Sequence, residues 1–167
     1  IIKWTQLWIG DAKGIADEYF KDNPSPLISY QLYARYKITN KDDIISFYID
    51  YYQFTGGAHG ITNRVAYNID VATGNELKLE DIFKKDFLYK DVINNEISRQ
   101  IKKDPDRYFT GKDGFNGINE NQNFYIKNKK LVIYFELYEI APYASGISEF
   151  VIPNKIIKEN MKYYEVL

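Results

Sequence analysis

The chain has 167 residues, of which 45% are hydrophobic and 27% charged, as is typical of one globular domain with a single hydrophobic core. A formal net charge of -1 with scattered basic residues argues against a nucleic-acid partner, and the absence of cysteine excludes disulfides and thiolate metal sites. The 16 tyrosines are more than such a core needs and indicate a half-exposed sheet or a recognition surface.

No apolar run approaches the roughly 18 residues of a membrane-spanning helix, so we expect no membrane contact from this fragment. The chain begins at Ile1 and not at methionine. We therefore expect a preceding N-terminal segment, for which a secretion signal or a membrane anchor is one option.

The first predicted element is a helix. Its apolar face follows spacings of three and four and consists of Trp4, Trp8, Ala12, Ile15 and Tyr19. Gly10 and Gly14 each weaken this helix by about 1 kcal/mol relative to alanine, so the helix needs tertiary packing. The sequence DNPSP at positions 22–26 is expected to end it.

Three strands are predicted to follow. From Leu27 to Thr39, every second residue is apolar, which indicates a half-buried strand with Leu32, Tyr36 and Ile38 on its inner face. The polar turn NKDD separates this strand from an aromatic-rich second strand at 44–54. A third strand is predicted at 65–71, and the short connections favour antiparallel pairing.

The second half of the chain begins with a helix over residues 88–101, which Pro105 ends. A long irregular segment at 109–123 leads to two strands around the turn 127–130, in which Asn128 tolerates a left-handed backbone.

A further strand is predicted at 148–152, and Pro153 suits the start of a short helix reaching about Met161. This order of elements predicts an α+β fold, with a mainly antiparallel sheet, helices packed on one face, and one domain over residues 1–167.

Several kinds of chemistry are disfavoured by the sequence. Ser145 lies in PYASG, but Tyr143 stands where a serine nucleophile elbow has glycine. One histidine without cysteine offers too few ligands for catalytic zinc, and the loop KDGFNGINEN lacks the EF-hand spacing. The sequence TGGAHG lacks the spacing of a phosphate-binding loop. We therefore predict no metal and no cofactor.

Two short signatures hold the candidate site residues. The first is YYQFTGGAHG at 51–60, and the second is YEIAPYASG at 138–146. The ligand-binding candidates are Tyr51, Tyr52, His59, Glu139 and Tyr143, and the turn-forming residues are Gly56, Gly57, Pro142 and Gly146. Two of these candidates have an alternative to a functional role. His59 would then be a satisfied turn histidine, and the Glu139 carboxylate would bond backbone amides or a tyrosine hydroxyl to fix the following turn. We expect the two signatures to meet in space.

These stretches, with YNIDVATGNELKLEDIF and FYIKNKKLVIYFELYEIAPYASGISEFVIP, resemble an uncharacterised bacterial domain family. The family is found at the extracytoplasmic C-terminus of the anti-sigma-V factor and in the N-terminal region of the peptidoglycan deacetylase PdaC. The likeness covers about residues 27–157 and leaves the predicted N-terminal helix outside.

The resemblance implies an extracellular or cell-surface location in a bacterium, and lysozyme or peptidoglycan as partners. In the anti-sigma-V factor the corresponding domain binds lysozyme as a signal. In the deacetylase, catalysis belongs to a separate metal-dependent domain whose Asp and His motifs are missing here. We therefore expect a non-catalytic binding or sensor domain. The alternative is a cell-wall enzyme or glycan-binding accessory domain that uses His59 and Glu139.

Overall fold

The computed structural model describes residues 1–23 and 29–163. The helices and strands that it contains are, in chain order, α1 (Ile2–Asp22), β1 (Gln31–Lys41), β2 (Ile44–Phe54), β3 (Ile61–Asp70), α2 (Tyr89–Ile101), β4 (Phe124–Lys127), β5 (Lys130–Phe135), β6 (Ser148–Ile152) and α3 (Asn154–Ile157). The strands form two antiparallel three-stranded sheets, ordered β1-β2-β3 and β4-β5-β6. The predicted α+β fold is confirmed.

The predicted boundaries are close to the observed ones for most elements. The second strand and the strand at 148–152 have the predicted bounds, whereas β3 begins four residues earlier than predicted. The predicted strand start at Leu27, and positions 24–26 of the predicted helix stop, lie outside the described residues.

The chain divides into two compact units. Unit 1 comprises Ile1–Arg35 and Asp50–Asn63, and unit 2 comprises Tyr36–Ile49 and Arg64–Leu167. The organisation of residues 1–167 as a single domain stays a prediction.

In unit 1, α1 packs its tryptophans on β2. The Trp4 and Trp8 rings lie 4.2 and 5.0 Å from the Tyr51 ring, and Trp8 and Ala12 are buried. The predicted helix face is wrong at Ile15, which is 46% exposed. After Ala12, the next residue on the buried side of α1 is the half-buried Ala16. Ala16 follows Ala12 by four residues, the same spacing that separates Trp4, Trp8 and Ala12, so it lies on the same face of the helix.

The predicted half-buried character of the first strand is also wrong. Residues 31–38 of β1 are all exposed, with Tyr36 at 75%, and the buried residues of the strand are Thr39 and Asn40. The alternation of apolar and polar residues indicates a strand, whereas the burial of its side chains depends on which elements cover each face of the sheet. Because β1 lies at the edge of its sheet, it pairs with one neighbour within that sheet.

Unit 2 contains the larger core. In β5, Leu131, Ile133 and Phe135 contribute to this core, whereas Val132 and Tyr134 pack in a second cluster with Tyr125. Both faces of β5 are therefore covered. The turn between β4 and β5 has positive φ at Asn128 (46°) and at Lys129 (63°), which is the geometry of a tight two-residue hairpin.

Buried polar side chains bond the backbone of β4. The Thr39 hydroxyl donates to the carbonyl of Ile126 at 2.5 Å, and the Ile126 N–H donates to the Ser46 hydroxyl at 2.9 Å. The Ser46 hydroxyl in turn donates to Asn68 Oδ1 at 2.7 Å, and Asn68 Nδ2 donates to the carbonyl of Phe124 at 3.0 Å. These side chains supply β4 with the hydrogen bonds that another strand would give.

Candidate functional site

The first signature begins in the last four residues of β2 and continues into a tight turn. Gly56 and Gly57 have φ values of 95° and 96°, a backbone region that glycine adopts without strain. The chain then passes the exposed His59 and the buried Gly60 before β3 begins.

The two tyrosines that open this signature have different surroundings. Tyr51 is 1% exposed, is packed by the tryptophans of α1, and has its hydroxyl 2.9 Å from Thr5 Oγ1. Tyr52, the next residue in the strand, points to the opposite face of the sheet. Tyr51 is therefore a core residue of unit 1 with almost no ring surface for a ligand, and Tyr52 is the tyrosine that a ligand can reach.

Tyr52 lines a groove of about 310 Å³, which we call the tyrosine groove. Its lining residues all belong to unit 1 and are Tyr33, Arg35, Asp50, Tyr52 and Thr62. The rings of Tyr33 and Tyr52 are 5.9 Å apart and tilted by 39°. Sequence reasoning identified Tyr52 but missed the other four residues, because their proximity depends on the pairing of three strands.

Gly60 fixes the place of the Tyr52 ring. A Cβ atom at residue 60 would lie 2.4 Å from Cζ of Tyr52, which is far closer than carbon atoms approach in proteins. Only glycine lets this ring lie against the backbone of the signature.

His59 lies next to this glycine but does not line the tyrosine groove. Its Nδ1 is 3.2 Å from the carbonyl oxygen of Gly60. This contact within the turn fits the alternative of a satisfied turn histidine.

The second signature lies in an irregular loop of unit 2, residues 136–146, which we call the YEIAP loop. Pro142 precedes the 3-10 helix Tyr143–Ser145, and Gly146 follows it with a φ of 70°. Ile140 and Ala141 are buried and anchor the middle of the loop in the core.

Hydrogen bonds hold the YEIAP loop on both sides. Glu139 Oε2 accepts the Glu136 N–H at 2.8 Å, and the Ile140 carbonyl accepts the Phe109 N–H at 2.9 Å. Arg107 Nη2 donates to the Ser145 carbonyl at 2.8 Å, and the Ser145 hydroxyl donates to the Arg107 carbonyl at 3.0 Å. Ser145 therefore bonds the backbone of a neighbouring segment.

Tyr138 is the strained residue of this loop. Its φ of 66° is uncommon for a bulky residue, and its side chain is 49% exposed. The Tyr138 ring lies 5.7 Å from the ring of Tyr143. The structure thus pairs the predicted candidate Tyr143 with a tyrosine that sequence reasoning did not select, since the sequence gives no sign of a positive φ at a tyrosine.

Glu139 supports the loop through its carboxylate. Burial raises the pKa of this carboxyl group, and the hydrogen bond from the Glu136 backbone partly offsets the rise, although the residue as a whole is exposed. This geometry matches the alternative in which the carboxylate bonds a backbone amide. Glu139 belongs to unit 2 and His59 to unit 1, and the expectation that the two signatures meet stays a prediction.

A second polar cluster of unit 2 surrounds Arg64, whose side chain is 9% exposed. The guanidinium carbon lies 3.7 Å from the centre of the Tyr48 ring, and the guanidinium forms an ion pair with Glu149. The Arg64 N–H donates to the Glu136 carboxylate at 3.2 and 3.3 Å. Arg64 thus links β3 to the first residue of the YEIAP loop.

The tyrosines near Arg64 complete this cluster. The Tyr134 hydroxyl donates to the Arg64 carbonyl at 3.1 Å, and burial, followed by the charge of Glu149, raises the pKa of Tyr125. Tyr125 therefore stays protonated at neutral pH, and Tyr134 acts as a packed hydrogen-bonding group.

Neither a metal-binding cluster nor a membrane-spanning helix occurs within residues 1–23 and 29–163. In this part of the chain, no group of three or more His, Asp or Glu side chains is placed to hold a metal ion. Across the same residues, none of the helices has both the length and the apolar character needed to cross a membrane.

Two family matches cover much of the chain. Residues 80–155 match the family described as "Protein of unknown function (DUF3298)", and residues 5–62 match the family described as "Deacetylase PdaC". The first match includes the whole YEIAP loop, and the second includes every lining residue of the tyrosine groove.

Two relatives come from Bacillus subtilis. The anti-sigma-V factor RsiV is 30% identical over an alignment of 168 positions, which covers 86% of this chain and 57% of RsiV. The peptidoglycan-N-acetylmuramic acid deacetylase PdaC is 28% identical over 137 residues, which cover 79% of this chain and 29% of PdaC. The chain therefore spans little more than half of one relative and less than a third of the other.

Solved structures with a similar fold include two proteins of the DUF3298 family. One, from Bacteroides fragilis, has a TM-score of 0.66 and 25% identity over 95% of this chain and 67% of its own. The other, from Pseudomonas aeruginosa, has a TM-score of 0.60 and 20% identity over 88% of this chain and 68% of its own, and it supports the fold alone. The resemblance predicted from the two signatures is confirmed: this chain is a homologue of RsiV and PdaC, with a segment that matches the PdaC family followed by one that matches DUF3298.

Proposed function

We propose that this chain is a non-catalytic, extracytoplasmic binding domain of the bacterial cell envelope that acts as a sensor, with lysozyme as its partner. The similarity to the anti-sigma-V factor over 86% of the chain supports this role. The observation that carries the proposal is the Tyr138–Tyr143 pair on the YEIAP loop.

The pair of the exposed Tyr138 and the half-buried Tyr143 is suited to protein recognition. Tyrosine rings supply large contact areas with few rotatable bonds, and tyrosine is enriched among the residues that dominate binding energies. The positive φ of Tyr138 supports a binding role, because a strained backbone persists only where the surrounding structure enforces it and clusters at functional sites.

The surroundings of the pair favour a rigid surface with acidic character. Hydrogen bonds from Arg107 and Phe109, together with the buried Ile140, hold the loop before a partner arrives, which lowers the entropy lost on binding. Glu136 and Glu139 add negative charge to the loop, which Arg107 offsets in part, and the remaining negative charge complements the basic surface usual for lysozymes.

The proposal is tested by calorimetric titration of the purified chain with lysozyme. We expect saturable binding, and we expect Tyr143→Ala to weaken it by about tenfold or more, as for a central aromatic contact. The matched control is Tyr36→Ala, which removes an exposed tyrosine outside the loop. Absence of binding by the wild type, or equal binding by the Tyr143→Ala protein, would contradict the proposal.

Glycan binding is the second candidate function. The segment that matches the "Deacetylase PdaC" family, residues 5–62, includes every residue that lines the tyrosine groove, and the deacetylase acts on peptidoglycan by its name. This candidate assigns the chain an accessory role next to a catalytic domain.

The enzyme alternative uses His59 and Glu139 as an acid–base pair. It predicts that the purified chain releases acetate or sugar fragments from peptidoglycan and that His59→Ala and Glu139→Gln each abolish the release. The non-catalytic proposal predicts no release from the wild-type chain under the same conditions.

A further inference from the structure

The tyrosine groove of unit 1 has the composition of a sugar-binding site. We propose that this groove binds one pyranose unit of a peptidoglycan glycan strand, with the sugar ring lying against Tyr33 and Tyr52. This inference rests on the glycan-binding candidate described above and is independent of lysozyme binding.

The two aromatic rings provide the apolar side of the site. Tyr33 is 51% exposed, and its ring is 5.9 Å from that of Tyr52 at a tilt of 39°, so the pair forms an open, inclined surface. The face of an aromatic ring carries partial negative charge. The C–H bonds on one side of a pyranose are apolar and carry partial positive charge, so they pack favourably on such a face.

The remaining lining residues add polar groups to the groove. The guanidinium of Arg35 can donate hydrogen bonds, the carboxylate of Asp50 can accept them, and the hydroxyl of Thr62 can do both. The hydroxyl and N-acetyl groups around a pyranose offer matching acceptors and donors. A purely apolar ligand would offer no such groups to these side chains.

The size and rigidity of the groove agree with a single sugar unit. Its volume of about 310 Å³ lies at the lower end of the range for small-ligand sites. The Tyr52 ring lies against Gly60, and the preceding residue, Tyr51, is fixed in the core by α1. The strand that carries Tyr52 is therefore in place before the ligand arrives.

The experiment follows backbone and aromatic NMR resonances of the full chain during titration with two probes. The first is the N-acetylglucosamine–N-acetylmuramic acid disaccharide with its stem peptide, and the second is the stem peptide alone. We expect the first probe to shift the resonances of groove residues and the second to leave them unchanged.

Two variants test whether the aromatic rings of the tyrosine groove bind the sugar. Tyr33→Ala removes an exposed side chain, and we expect it to weaken binding of the disaccharide probe by about tenfold. Tyr36→Ala, on the same strand but outside the groove, is the matched control and keeps wild-type affinity. Peak dispersion in the same spectra reports whether each variant is folded.

Three results would overturn the inference: no groove shifts with the disaccharide probe at millimolar concentration, equal shifts with the stem peptide alone, or wild-type affinity in Tyr33→Ala. Lysozyme titrations keep the two proposals distinct. Tyr33→Ala should retain lysozyme binding, and Tyr143→Ala should retain glycan binding, so either proposal can fail without the other.

Discussion

The Tyr52 ring lies so close to Gly60 that a Cβ atom on residue 60 would come within 2.4 Å of its Cζ atom. The last glycine of the first signature thus has a specific task that differs from that of Gly56 and Gly57, which provide positive φ angles in the preceding turn. Because Gly60 has no side chain, there is space for the Tyr52 ring, which forms one wall of the tyrosine groove.

Gly60→Ala tests this relationship. The half-buried Tyr52 ring can move away from an added methyl group, so we expect a stability loss of only about 1 kcal/mol but a changed groove. The aromatic NMR signals of Tyr52 should shift strongly, and groove binding should be lost. Gly10→Ala is the control, because no atom lies within 4 Å of the added methyl group and alanine favours the helix by about 1 kcal/mol. Unchanged Tyr52 signals in Gly60→Ala would refute the positioning role.

Ser46→Ala tests the polar side chains that bond β4. The Ser46 hydroxyl accepts the Ile126 N–H and donates to Asn68 Oδ1, and its loss leaves both groups buried without this partner. We expect the free energy of unfolding to fall by about 1–3 kcal/mol in urea denaturation. The exposed Ser29→Ala serves as control and should stay within about 0.5 kcal/mol of the wild type. Equal stability of the two variants would contradict this account of β4.

Arg64→Lys tests whether the planar guanidinium matters beyond its charge. Lysine keeps the positive charge near Glu149 but loses the flat contact with the Tyr48 ring. We expect the free energy of unfolding to fall by about 1–2 kcal/mol, since the Arg64 side chain is nearly buried. Arg35→Lys, at an exposed arginine of β1, should change stability by less than about 0.5 kcal/mol. If the two substitutions have the same effect, the stacking on Tyr48 contributes little.

The Tyr163–Asp70 hydrogen bond of 2.7 Å predicts a dependence of stability on alkaline pH. Burial and then the bond to Asp70 raise the pKa of Tyr163 from 10.0 to about 12. The folded protein therefore holds this proton more tightly than the unfolded chain does. The resulting stabilisation is complete below pH 10 and is lost as the pH rises from 10 to about 12.

Tyr163→Phe isolates this contribution. The variant should be less stable than the wild type at neutral pH, and the difference should shrink as the pH passes from 10 towards 12. The same bond also matters at acid pH, because it is the main cause that lowers the pKa of Asp70 below 3.8 in the folded protein. The stabilisation by the Asp70 carboxylate is therefore present above pH 3.8 and is lost as the pH falls through this lowered pKa. A constant difference between the two proteins across the alkaline range would contradict the assignment.

The sequence predicted those parts of the fold that depend on local patterns. The bounds of β2 and β6 follow from alternation between clear turn signals, and the positive φ of Asn128 follows from hairpin chemistry. Thr39 and Ser46 could not be identified as buried from the sequence. Polar side chains are expected at the surface unless the backbone groups to which they hydrogen-bond are known.

The candidate site was predictable only in part for the same reason. Alternation placed Tyr51 and Tyr52 on opposite faces of a strand but did not say which face α1 covers. Tyr33 and Arg35 join Tyr52 through strand pairing, and Tyr138 joins Tyr143 through an unusual backbone angle. Neither relationship is encoded in the spacing of residues along the chain.

The central claim, that the YEIAP loop is the protein-binding surface of a lysozyme sensor, is tested most directly by NMR mapping of the full chain with unlabelled lysozyme. The account predicts that the largest resonance changes fall on residues 136–146, with Tyr138 and Tyr143 among them. Largest changes elsewhere on the chain, or no changes at saturating lysozyme, would contradict it.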